Sequence, residues 1–290
     1  MVNLAELVKL AEALPLHSAL LSALRERKGQ GLRLPLAHAA RPWLIARLQM
    51  DWPRPILVLC PSVQRARQLQ EQVQVWSPQP ASVLVFPEPD ALFYERMALD
   101  PATRQERLFT LGRLLKERRE PDSRLVVVAS ARAAMQKLID ADDFAAALLV
   151  IRAGGRLDLR AVMAHLVDSG YEPAPVVEQP GTFARRGGIL DVFPSDSSQP
   201  VRIELFGDEV ETIRYFNPLT QRSESRVAVV TIGPAREALP AKLREALSAL
   251  VSADETDDDR VEGQFKIDIQ RLQRGDALDL IDVYASYCSS

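Results

Sequence analysis

Arg202, Glu204 and Phe206 recur at every second position of VRIELF, residues 201–206, and a period of two puts all three on one side of a strand. Arginine and aromatic side chains are the types enriched where protein surfaces meet, so the chemistry this group suggests is recognition. Arg and Glu each pair with an opposite charge, and an aromatic ring surrounded by polar groups has the composition of an interface anchor. Arg185 and Arg186 stand upstream in GTFARRGGILDVF, residues 181–193. Any one of these arginines alone reads as a solvated surface charge. The alternation of Arg, Glu and Phe lifts the group above that reading. For Phe206 the competing reading is burial on a second packed face, under a helix.

Holding such a group in place is the task of a sheet. Val201, Ile203 and Leu205 occupy the intervening positions and form a core face. Gly207 and Asp208 are predicted to make a two-residue turn with Gly at the first central position, as type II′ requires, and residues 209–216 return as the partner strand. Phe206 then sits beside the turn. Residues 189–193 read as a third strand, closed by Pro194, and residues 226–232 as a fourth strand of the same antiparallel sheet. The pair Gly187-Gly188 suggests a bulge or a close backbone approach. A bulge would reset the alternation, which leaves open the face that Arg186 shares.

Catalytic and metal chemistry find little footing, and no catalytic residue, metal or cofactor is expected. The chain has 290 residues with two cysteines, Cys60 and Cys288, and three histidines, His17, His38 and His165, all far apart. No disulfide framework or zinc spacing results. A phosphate-binding loop needs the pattern G-x-x-x-x-G-K-[ST], because backbone amides must cradle phosphate and the lysine must reach it. In residues 31–48, GLRLPLAHAARPWLIARL, Gly31 is followed by no second glycine and no Lys-Ser/Thr pair. The apolar run 125–129 also ends on Ala-Ser without an acidic residue to hold magnesium. ATP hydrolysis is therefore not expected of this region. A net charge of −3 argues against a broad grip on nucleic-acid backbone. No apolar run approaches a membrane span and the first residues do not resemble a secretory signal, so a cytoplasmic location is expected.

The fold class is α/β. Short apolar runs at 56–60, 83–86, 125–129 and 147–151 read as buried parallel strands, separated by helices at 62–76, 102–119 and 130–138. Ser62 and Ser130 are natural N-caps. Further helices are expected at 39–48, 157–169, 237–251 and 264–272, and the acidic run 254–259 reads as a solvated loop.

EQPGTFARRGGILDVFP, PVRIELFGDEVETIRYFNPLTQRS and IGPAREA, at 178–194, 200–223 and 232–238, resemble the region shared by the bacterial transcription-repair coupling factor, Mfd, and the nucleotide-excision-repair protein UvrB. The resemblance implies a small domain that docks the damage-scanning ATPase UvrA through Arg186, Arg202, Glu204 and Phe206, with Arg185 as a further candidate. An additional arginine frequent in UvrB-type sequences falls on Ala184 here. Residues 85–115, VFPEPDALFYERMALDPATRQERLFTLGRLL, are similar to the coupling factor's own segment. The implied layout is a degenerate P-loop-type α/β domain at 1–139, an inserted small α+β domain with an antiparallel sheet at 140–236, and a return segment at 237–290 that is cut short. The implied function is recruitment of UvrA to stalled transcription complexes, without catalysis. RNA polymerase and double-stranded DNA would be partners of the full-length protein. Two alternatives remain: a UvrB-like DNA-binding ATPase or helicase fragment, and a module whose arginines contact the DNA backbone.

Overall fold

A computed structural model describes residues 4–9, 15–26, 33–89, 99–118, 122–253, 266–268, 270–271 and 274. Gly31, the acidic run 254–259 and part of the helix expected at 264–272 lie outside the described residues. Two compact units emerge, one from residues 1–88 and 113–135, the other from 89–112 and 136–290.

The first unit contains α1 (Ala5–Val8), α2 (Pro15–Glu26), α3 (Arg41–Asp51), β1 (Ile56–Cys60), α4 (Val63–Trp76), β2 (Val83–Phe86), the end of α5 (Pro101–Glu117), β3 (Val126–Ser130) and α6 (Ala131–Ala134). Its three strands are parallel in the order β1-β3-β2. β3 is buried at every position, as expected of a strand with a neighbour on each edge and cover on both faces. Ser62 caps α4 by accepting from the Arg65 amide. Ala66, Leu69 and Val73, spaced by three and four, carry α4 onto Val126 and Val128. Cys60 belongs to that cluster, and burial pushes its thiol up. Ser130 caps α6 and donates its hydroxyl to Glu88 at 2.6 Å, so the carboxylate at this end of the sheet comes from the segment after β2. A 3-10 turn at His38–Ala40 precedes α3, which starts two residues later than expected.

The second unit continues with α7 (Ala141–Ala146), β4 (Leu149–Arg152), α8 (Leu159–Asp168), β5 (Glu172–Pro173), β6 (Thr182–Arg186), β7 (Ile189–Val192), β8 (Val201–Phe206), β9 (Glu209–Phe216), β10 (Ser223–Val227), β11 (Val229–Ile232) and α9 (Pro240–Ala253). Six strands form a sheet in the order β10-β9-β8-β7-β6-β5, antiparallel except at β5–β6. One face of it, carrying Phe183, Leu190, Val192, Val201, Ile203 and Ile213, packs with Val162 and Leu166 of α8 and with Ile151, Val230 and Ile232. Fully burying each such aliphatic side chain contributes about 1.5–3 kcal/mol.

Three sequence expectations are corrected here. The run 147–151 is not a fourth parallel strand. β4 pairs antiparallel with β11 in a sheet of two, and it is buried on one side only, with Val150 49% exposed. An unbroken apolar run does not distinguish these cases. The run 226–232 is two strands in two sheets. Ala228 lies between them, and its carbonyl accepts from the Ala153 amide at 2.9 Å. The helix expected from 237 starts at Pro240. Glu237 instead forms a buried ion pair with Arg107 of α5, at 2.5 and 3.0 Å.

Candidate docking site

β8 and β9 span the expected residues, and the turn between them has a positive φ of 65° at Gly207 and none at Asp208, in keeping with type II′. The cross-strand register settles which side chains share a face. One row runs Ala184, Asp191, Arg202, Arg214, and the next runs Arg186, Ile189, Glu204, Thr212. Directly paired residues of an antiparallel sheet point to the same side. Arg186, Arg202, Glu204 and Phe206 therefore lie together on the face opposite the core. Arg185 pairs with Leu190, a core residue, so it belongs to the other side. It is exposed at the sheet margin and donates to the Gly187 carbonyl at 3.2 Å.

Gly187-Gly188 forms the turn between β6 and β7 rather than a bulge. The close approach is real, because the Gly188 carbonyl accepts from the Leu205 amide at 2.8 Å and a Cβ on Gly188 would stand 2.8 Å from the Leu205 oxygen. The bulge is elsewhere in the hairpin. Glu204 pairs with Thr212 while Leu205 pairs with Val210, which leaves Glu211 as the extra residue.

The outer face has a clamped end and a bare end. Val177, Ala184, Phe193 and Phe216 make a small buried cluster at the clamped end. The Arg202 guanidinium lies 4.7 Å from the Phe216 ring centroid. It donates twice to Asp191, at 2.7 and 2.8 Å, and once to the Gln221 carbonyl at 3.3 Å. The hydrogen bond to Asp191 pushes the Arg202 pKa further up, against partial burial. Asp191 is 2% exposed, whereas the Arg202 side chain keeps 17% of its surface open. Arg202 is thus engaged within the molecule and still presents an edge outward.

The loop after β9 completes this end. The Asn217 carboxamide accepts from the Leu219 and Thr220 amides, and Gln221, at φ 58°, donates its side-chain amide to Val177 and Pro218 carbonyls. Glu204 accepts a short hydrogen bond from Thr212, and Arg186, exposed, donates to the Pro175 carbonyl at 2.8 Å. Phe206, at the bare end, is 82% exposed. Its burial under a helix is ruled out.

Such a surface has fixed charges and one uncommitted ring, groups able to pair with opposite charge and to fill an apolar pocket. Asp191 escaped notice in the sequence, although a charged residue inside the apolar run ILDVF was a visible signal. Among the described residues, no group of His, Cys, Asp or Glu is arranged to hold a metal ion, and no helix is long and apolar enough to cross a membrane.

Residues 149–237 match the family model of the UvrB interaction domain. The transcription-repair-coupling factor of Bacillus subtilis (strain 168) is 30% identical over 219 residues, covering 76% of this chain and 18% of that protein. The Myxococcus xanthus coupling factor is 33% identical over 219 residues, covering 73% and 18%. UvrABC system protein B of Klebsiella pneumoniae (strain 342) is 32% identical over 228 residues, covering 72% and 33%. The chain therefore spans well under half the length of each of these relatives.

Proposed function

We propose that this chain, whose residues 149–237 are a UvrB interaction domain, binds UvrA through the outer face of β8 and acts in nucleotide excision repair as the non-catalytic front module of a transcription-repair coupling factor. The observation that carries the reading is the exposed ring of Phe206 beside an ordered frame of Arg202, Glu204 and Arg186. An exposed aromatic next to preorganised charge binds at little ordering cost, because the partner meets side chains already fixed. The likeness to both coupling factors and UvrABC system protein B supports placing the module in excision repair.

In this reading the first unit is a degenerate P-loop-type scaffold. Its parallel sheet is that of an α/β domain, while residues 33–48 carry no Gly-Lys-Ser/Thr sequence to reach a phosphate. RNA polymerase and double-stranded DNA are partners of the full-length protein, which works in the cytoplasm.

The test is calorimetric titration against purified UvrA, with and without nucleotide. Phe206→Ala or Arg202→Glu should weaken binding by about 2 kcal/mol or more, roughly thirtyfold. Wild-type affinity in both variants would end the proposal. Heat from ATP added to the chain alone would reinstate an ATPase reading.

A further inference from the structure

The row through Arg202 does not stop at β8. Arg202 pairs with Arg214 of β9, and Arg214 pairs in turn with Arg226 of β10. Three arginines therefore stand side by side across adjacent strands on the outer face, separated by about 4.8 Å per strand. Like charges directly opposite each other destabilise a cross-strand pair. Asp191 offsets this for Arg202 alone. Arg226 is exposed and donates to the Glu211 carbonyl at 3.2 Å. Arg214, half-buried, has no carboxylate partner among the described residues. A glutamate or threonine at 214 would relieve the repulsion, so the row breaks a local rule of sheet stability with little gain inside the fold. Departures of that kind belong to functional surfaces.

We propose that Arg214 and Arg226 extend the docking face into an arginine stripe that receives carboxylate side chains of UvrA. This inference rests on the docking function proposed above. A protein occupant fits better than nucleic acid for two reasons. Glu204 lies in the adjacent row, and the chain carries a net charge of −3, both of which oppose a phosphate backbone. The stripe is also short, about 10 Å from end to end, and its spacing is close to the roughly 5–6 Å between acidic residues three or four apart on a helix. Arginine meets carboxylate with two parallel hydrogen bonds, and that geometry rewards a partner whose acids match the strand spacing.

The test uses the 290-residue chain and purified UvrA. Arg214→Glu sets a carboxylate opposite both Arg202 and Arg226, so its thermal midpoint should stay level or rise while affinity for UvrA falls about tenfold or more. Arg214→Lys keeps the charge but loses the paired hydrogen bonds, so its affinity should fall between those of wild type and Arg214→Glu. Arg226→Glu, at an exposed position, should lower affinity in the same direction and serves if the first variant does not fold. Wild-type affinity in both charge reversals, with Phe206→Ala impaired, overturns the stripe and leaves the docking reading standing. Wild-type affinity in Phe206→Ala and Arg202→Glu as well removes both. Salt-sensitive binding of the chain to plain duplex DNA, lost in Arg214→Glu with UvrA affinity intact, would assign the stripe to nucleic acid and overturn the inference.

Discussion

The two faces of the six-stranded sheet are built by the same strands, yet one is finished and the other is not. On the core face each apolar side chain meets another, and Leu190, Val201, Ile203 and Ile213 are fully buried. On the outer face a bare phenyl ring, a row of arginines and a single buried carboxylate coexist. The difference teaches that exposure on the outer face is arranged and not merely tolerated. Asp191 and the Phe216 cluster hold one end rigid, and the other is left open. Under the proposed docking function, stability is concentrated on one side of the sheet and recognition on the other.

Replacing a core residue should break the comparison most visibly. Leu190→Ala removes a side chain with no exposed surface and should lower the unfolding free energy by about 2–5 kcal/mol, read by urea denaturation. Its folded fraction should retain the affinity of wild type. Asp191→Asn sharpens the contrast, since this residue anchors the clamped end of the outer face. Arg202 would lose half of a bidentate pair while 17% open to solvent, so a stability loss of about 1–3 kcal/mol is expected, together with weaker UvrA binding. Unchanged stability and affinity in that variant would show that the clamp does not position Arg202. At the smallest end, Phe206→Ala should shift stability by no more than about 0.5 kcal/mol, because the ring buries little. A thermal melt that moved by many degrees would place Phe206 among the structural residues.

The hairpin was legible to the residue. VRIELF alternates cleanly and Gly207-Asp208 has one obvious turn geometry, so local physics determines both strands and the turn. β6 was not legible, since TFARR mixes apolar and charged residues without a period, and the strand exists because β7 offers it a partner. The same cause misled the reading of 147–151 and 226–232, where apolar content was plain but the choice of sheet depended on residues far away in sequence. Of the candidate site, the position of Arg186 needed the register, and the salt bridge of Arg202 needed knowledge that Asp191 lies directly across from it. The arginine stripe was hidden for the same reason. Its members are 12 residues apart in the chain, at 202, 214 and 226, and become neighbours only through pairing.

The extra residue at Glu211 sets the parity of the whole tip. Counting back by twos from buried Ile213 would send Glu211 and Glu209 inward and turn Val210 out, yet Val210 is the one buried. The insertion is a phase corrector, absorbing a mismatch between the two arms. Regular pairing through Glu211, with no bulge, would drive two carboxylates toward the oily side. A graft of this hairpin onto another scaffold must therefore keep the bulge or drop Glu211 outright, since either choice leaves Val210 inward.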